Sequence, residues 1–181
     1  CLHCHTEIQH GTFDGREEVA QTACLTCHEG GHSPQRDLYV GIGGKGVTPR
    51  PSAMHLAGIR CEGCHFLKQP KEHGAGAVHT AGDASCMACH GPRYGQTLRR
   101  WRHLLDARLA TSRAQLATAR RQLPASAPAV ADAEANLELV SVGHGVHNID
   151  YALDVLWANH RMLNAALGAA GARLLPAPWK Q

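Results

Sequence analysis

Cys61-Glu-Gly-Cys-His65 is one of four copies of the pattern C-x-x-C-H in this chain. The others are Cys1-Leu-His-Cys-His5, Cys24-Leu-Thr-Cys-His28 and Cys86-Met-Ala-Cys-His90; in chain order they are called motifs 1 to 4. These pentapeptides contain all eight cysteines of the 181 residues. The pattern is typical of covalent c-type haem attachment, in which two thiols hold the porphyrin and the adjacent imidazole ligates the iron. The sequence therefore predicts four covalently bound haem c groups.

Paired cysteines also occur in zinc sites, thioredoxin-like centres and disulfide-rich secreted domains. Zinc does not require a histidine after each second cysteine, and His is only 14 of 181 residues. A thioredoxin-like motif would occur once, beside a βαβ pattern. We therefore interpret every motif cysteine as a haem tether: Cys1, Cys4, Cys24, Cys27, Cys61, Cys64, Cys86 and Cys89. The proximal iron ligands are then His5, His28, His65 and His90.

The composition agrees with a protein that folds around cofactors. Only eight residues are aromatic, which is few for a core of this length, and four porphyrins would supply the missing apolar bulk. Their eight propionates would change the formal charge of +3 to about −5, so the charge does not favour nucleic-acid binding. The chain has 14 Arg and 4 Lys, and Arg suits pairing with carboxylates such as propionates.

The chain divides by pattern into a tetrahaem-binding region at residues 1–95 and a helical region at residues 96–181. The segment GIGGKGVTPRP at 41–51 predicts a loop, and its G-x-G-x-x-G match is accidental because no strand precedes it. Steps of three and four predict a long amphipathic helix through Leu98, Trp101, Leu105, Leu109, Ser112, Leu116, Ala119 and Leu123.

Prolines at 124–128 break this helix and a second one follows, with Val130, Ala133, Leu137, Val140, His144 and His147 on one stripe. The two helices are expected to form an antiparallel hairpin. Asn148 can cap a third helix, which carries Leu153, Leu156, His160, Leu163 and Leu167 on one face. The expected fold class is mainly α: a loop-rich, haem-packed region followed by a long-helix hairpin or bundle.

Electron-transfer haems carry a second axial ligand, usually Met or His. The chain has three Met and ten His beyond the proximal four, so two histidines per iron are favoured. We expect His55, His79, His144 and His147 as distal ligands, with His10, His32 and His73 as alternatives. His103 and His160 are expected to pack or to bind propionates.

From residue 51 onward, the sequence resembles the C-terminal half of the pentahaem cytochrome c nitrite reductases and their octahaem and hydroxylamine-oxidising relatives. The resemblance rests on three features: His55, Gly58 and Ile59 before motif 3, His79 or His73 before motif 4, and the later run Gly143-His-Gly-Val-His-Asn148. Motif 2 with His55 is also similar to decahaem conduits of outer-membrane complexes. The resemblance implies long helices that cover the haems and pair with a second copy.

Those reductases bind substrate at a haem whose motif ends in Lys, and this sequence contains no C-x-x-C-K. We therefore expect an electron carrier or electron-transfer subunit. Its partners would be other redox proteins or further copies of itself, in a homo-oligomer, larger redox complex or filament. The alternative is the haem-bearing portion of a nitrite- or hydroxylamine-type reductase, with its catalytic haem outside this fragment or at one five-coordinate iron.

Covalent haem attachment predicts a periplasmic or extracellular location. The sequence has neither a signal peptide nor an apolar run long enough to span a membrane. Since it begins on a motif cysteine, we expect an export signal upstream and treat four haems as a lower bound.

Overall fold

The structure is a computed structural model, and it describes residues 33–70 and 77–179. The chain divides between Ser33 and Pro34 into two units. All of the described residues except Ser33 belong to the second unit, Pro34–Gln181. Motifs 1 and 2 lie outside the described residues, as do His10, His32 and His73. The boundary between residues 95 and 96 stays a prediction.

The described part is mostly helical, which confirms the predicted fold class. Its elements in chain order are α1 (Ser33–Val40), α2 (Ala53–Leu56), α3 (Cys61–Cys64), β1 (Leu67–Pro70), β2 (Ala77–Thr80), α4 (Asp83–His90), a 3-10 turn (Pro92–Tyr94), α5 (Thr97–Arg120), α6 (Pro128–Val142), a second 3-10 turn (Gly145–Asn148) and α7 (Ile149–Ala169). None of the described helices is long and apolar enough to cross a membrane.

Helices α5 and α6 form the predicted antiparallel hairpin. Arg120 pairs with Glu134, and the Arg113 guanidinium donates to the Ser141 hydroxyl at 2.9 Å. The two helices therefore run in opposite directions. Helix α6 starts with a proline at its first position, where a missing N–H costs nothing. The predicted apolar face of α5 is largely buried, through Leu98, Leu105, Leu109, Ser112, Leu116 and Ala119.

Helix α7 packs against both members of this hairpin and completes a three-helix bundle. Its buried residues include Leu156, Leu163 and Leu167, which lie on the predicted face. The Asn148 side chain accepts a hydrogen bond from the Tyr151 N–H at 3.2 Å and caps the helix, as predicted.

The sequence prediction was wrong about where the second helix ends. Helix α6 stops at Val142, so His144 and His147 lie beyond it. His144 has a left-handed backbone (φ 49°, ψ 87°), and His147 belongs to the 3-10 turn that follows. The helical spacing of these histidines therefore reflects a turn between α6 and α7 and not a helix face.

The loop at 41–51 is confirmed, and it is held against the bundle by buried polar side chains. The Asn136 carboxamide accepts from the Lys45 N–H at 2.6 Å and donates to the Lys45 carbonyl at 3.0 Å. It also donates to Asn159 at 2.8 Å, and both amides are almost fully buried. The Tyr151 hydroxyl accepts from the Gly44 N–H at 3.0 Å. The bundle thus fixes the loop that leads to α2.

Candidate haem centre

Motifs 3 and 4 each place two thiols on one side of a helical turn. Cys61 and Cys64 are the ends of α3, and Cys86 and Cys89 lie three residues apart on α4. Residues three apart on a helix are neighbours on its surface, so each pair can reach one flat group. All four thiols are free. The motif histidine follows directly, His65 as the C-cap of α3 and His90 as the last residue of α4.

Cys64 and Cys86 are half-buried, whereas Cys61 and Cys89 are exposed. Burial raises the pKa of the Cys61, Cys64 and Cys86 thiols above the usual value. For Cys64, the nearby Cys86 and Cys89 thiols raise the pKa further. Motifs 3 and 4 are neighbours, because the hydroxyl of Ser85, the residue before motif 4, donates to the Cys64 carbonyl at 2.6 Å. Cys61, Cys64 and Cys86 are therefore protonated at neutral pH.

The imidazole rings of His65 and His147 lie close together and almost parallel. Their ring centroids are 6.1 Å apart and their planes differ by 5°. Nδ1 of His147 lies 2.8 Å from the Gly143 carbonyl oxygen and 2.9 Å from that of His144. A carbonyl can only accept, so Nδ1 carries the proton and Nε2 keeps its lone pair. Metal-binding histidines commonly have this arrangement.

The second predicted distal ligand, His79, lies beside motif 3. It occupies β2 opposite Lys68 of β1, in an antiparallel hairpin that the sequence analysis did not predict. Its Nδ1 is 3.2 Å from the carbonyl oxygen of His65, so its Nε2 is also the nitrogen left for a metal.

His55 lies in α2, where the Ser52 hydroxyl accepts its backbone N–H at 3.0 Å and caps the helix. Its ring meets the Tyr39 ring edge-on, with centroids 5.3 Å apart. The Tyr39 hydroxyl donates to the Ile59 carbonyl at 2.5 Å. Burial, together with the nearby thiols of motif 3, raises the pKa of Tyr39 to about 12. Tyr39 thus lies between His55 and motif 3.

The remaining predicted ligands have other surroundings. His144 is exposed, and its ring is tilted by 49° to that of His147 at 6.5 Å between centroids. The His90 ring stacks on Tyr94 with centroids 4.6 Å apart. The structure thus places the His147 ring beside the His65 ring and His79 beside the His65 carbonyl. The His55 ring contacts Tyr39 instead. Sequence reasoning missed Tyr39 and Tyr94, which have no motif of their own.

Apolar side chains around these motifs are open to solvent. Leu56 is 74% exposed and Phe66 42%. Ile42, Ile59, Met87 and Tyr94 are also exposed. The other exposed large apolar residues in the described part of the chain are Val142, at the end of α6, and Leu174, beyond α7. Leu56, Ile59, Phe66, Met87 and Tyr94 lie within five residues of motif 3 or motif 4 in the sequence. A porphyrin held by either motif is itself a large apolar plate and would cover neighbouring apolar side chains.

Neither a protein-family model nor a curated protein matches this sequence. The structure is similar to the crystal structure of the outer cell wall cytochrome OcwA, with a TM-score of 0.59 and 29% sequence identity. The similarity covers 80% of this chain and 34% of that chain, so this chain spans about a third of the length of OcwA. The resemblance to nitrite reductases gains no support from this match and stays a prediction. The similarity to a cytochrome supports the general interpretation of the C-x-x-C-H motifs as haem attachments.

Proposed function

We propose that this protein is a multihaem c-type cytochrome that passes single electrons through four covalently bound haems, most of them with two axial histidines. Motifs 3 and 4 have the thiol and imidazole arrangement that such haems require. Motifs 1 and 2 repeat the same residues in the sequence, and the count of four rests on them. The similarity in fold to the cytochrome OcwA supports this class of function.

The pairing of His65 with His147 is the observation that carries the proposal. A bond between a metal and an imidazole nitrogen is about 2.0–2.1 Å long. Two imidazoles on opposite sides of one metal then have their ring centres about 6 Å apart, allowing for the ring radius. The observed separation is 6.1 Å, and the two planes are almost parallel. This separation suits one shared iron, which His65 would hold as its proximal and His147 as its distal ligand.

A bound haem supplies a one-electron iron couple, whose potential the axial ligands and their hydrogen bonds set. With both His65 and His147 as ligands, that iron would have no position left for a substrate. The carbonyls that accept from Nδ1 of His147 increase the electron density of its imidazole, which favours the oxidised iron.

The closeness of motifs 3 and 4 suits transfer between two haems. The Cys64 thiol is near enough to the thiols of motif 4 to have its pKa raised by them. We place the protein in the periplasm or outside the cell, and the outer-cell-wall designation of OcwA supports that location. Other redox proteins or further copies of this chain would exchange electrons with it.

The holoprotein provides a direct test. Its mass and its reduced pyridine spectrum should give four haems per chain, and its EPR spectrum should be low-spin. His147→Ala should convert one haem to a high-spin form, because the His65 iron loses its sixth ligand. His103→Ala, which removes an exposed histidine of α5, is the matched control and should leave the spectrum unchanged.

Two results would contradict the proposal. A haem count below four would remove the assignment of one or more motifs. A high-spin signal in the unmodified protein that shifts with nitrite, hydroxylamine or cyanide would favour the reductase alternative instead.

A further inference from the structure

The buried Asn148 side chain makes two hydrogen bonds, one as an acceptor and one as a donor. Its carboxamide oxygen accepts from the Tyr151 N–H at 3.2 Å and caps α7. Its carboxamide nitrogen donates to the Arg50 carbonyl at 2.7 Å. The residue is 5% exposed, so water does not substitute for either partner. Asn148 therefore joins the start of α7 to the end of the loop at 41–51.

One side of this link is the turn that carries His147. Asn148 follows His147 directly and ends the same 3-10 turn. Since Asn148 also caps α7, the orientation of this turn is tied to the helix axis. The His147 ring is fixed in addition by its Nδ1 bond to Gly143.

The other side of the link is the helix that carries His55. Arg50 lies two residues before Ser52, whose hydroxyl caps α2 at the His55 N–H. The Ser52 N–H donates to the Tyr39 carbonyl at 3.1 Å, and the Tyr39 ring contacts the His55 ring. The backbone position of Arg50 therefore determines where α2 begins.

Further contacts make the loop at 41–51 a stiff connection. The Arg50 guanidinium bonds Asp154 at 2.9 Å and Asp150 at 3.0 Å, both on α7. The Arg161 guanidinium donates to the Gly46 carbonyl at 3.1 Å. These exposed pairs are individually weak, whereas the bond from buried Asn148 is shielded from water.

We infer that Asn148 is a positioning residue that fixes the orientation of His147 relative to His55. It would thereby set the orientation of an axial ligand at two different haems. The inference rests on the proposed function and on the expectation from the sequence that His55, like His147, is a distal ligand. The orientation of an axial imidazole matters because hydrogen bonds to a metal-ligating histidine fix its ring and influence the redox potential of the metal.

The test uses EPR spectra and midpoint potentials of the holoprotein. Asn148→Ser keeps a good helix cap but is too short to reach the Arg50 carbonyl as well. Asn148→Asp keeps the cap acceptor and loses the donor, and it serves as the second variant if the first does not fold. His147→Ala and His55→Ala identify the resonances of the two haems. We expect both Asn148 variants to shift or broaden both of these resonances.

The matched control is Asn164→Ser on the same helix. Asn164 also bonds a backbone in both directions, accepting from the Leu175 N–H at 2.7 Å and donating to its carbonyl at 3.1 Å. That pair holds the C-terminal tail, so its loss should lower stability without changing either resonance.

Two other outcomes would overturn the inference. If the Asn148 variants alter only the His147 resonance, or neither, while His55→Ala and His147→Ala alter one each, the inference is wrong and the proposed function stands. If His55→Ala or His147→Ala changes no resonance, that ligand assignment fails and the inference fails with it.

Discussion

The Ser85 hydroxyl donates a hydrogen bond of 2.6 Å to the backbone carbonyl of Cys64. It also accepts from the Gly82 N–H at 3.2 Å, and the residue is buried. Cys64 is the second cysteine of motif 3, and Ser85 directly precedes motif 4. One buried hydroxyl therefore connects motif 3 to the start of motif 4.

We predict that Ser85→Ala destabilises the holoprotein by about 1–2 kcal/mol, because the partly buried Cys64 carbonyl and Gly82 N–H lose their partner. Denaturant unfolding followed by circular dichroism measures this change. Ser126→Ala makes the same chemical change at an exposed position and should alter stability by less than about 0.5 kcal/mol. Equal effects of the two substitutions would show that the Ser85 bond does not contribute.

The long helices could be predicted because their signal is local. The spacing of Leu98, Leu105 and Leu116 requires only that one face of a helix be buried, and the bundle buries it. The C-x-x-C-H motifs are likewise complete within five residues. Asn148 could be predicted as a cap because a cap lies beside the helix that it starts.

The contacts that build the site could not be predicted in this way. The bonds from Ser85 to Cys64 and from Asn148 to Arg50 join residues 21 and 98 positions apart. Such pairs leave no periodic trace in a sequence. The hairpin of β1 and β2 was missed because Leu67-Lys-Gln-Pro70 is mostly exposed and does not alternate. The spacing of His144 and His147 suggested a helix, but the backbone at His144 turns away from it.

Gly143 and Gly168 should respond to alanine in opposite directions. Gly143 has an ordinary φ of −72°, so the effect there is purely one of space. An added Cβ would lie 2.6 Å from the Leu38 side chain and 2.6 Å from the Pro34 carbonyl oxygen, and it would also overlap the Leu139 carbonyl. We expect Gly143→Ala to cost about 1–3 kcal/mol of stability through overpacking.

Gly168→Ala is the matched control for that substitution. Its Cβ would meet nothing closer than 3.7 Å, and the residue lies within α7. Alanine is a better helix former than glycine, so this change should stabilise the protein by up to about 1 kcal/mol. Thermal unfolding of both variants measures the difference. Destabilisation by Gly168→Ala would contradict the packing described for the end of α7.

His160 should make stability depend on pH. Its Nδ1 is buried without a partner in the described part of the chain. Its Nε2 lies 3.3 Å from the Asn164 amide nitrogen, a donor, so Nε2 must accept and stay unprotonated. Burial lowers the pKa of His160 below its usual value.

The unfolded chain then takes up a proton at a higher pH than the folded protein does. The stability that neutral His160 contributes is complete above about pH 6.5 and is lost as the pH falls below that value. His160→Gln keeps an acceptor for Asn164 and cannot be protonated. Unfolding followed from about pH 8 to about pH 5 should therefore show this variant gaining stability relative to the unmodified protein at the acid end. His103→Gln removes an exposed histidine and should show no such gain; a gain of equal size there would mean that His160 is not the group responsible.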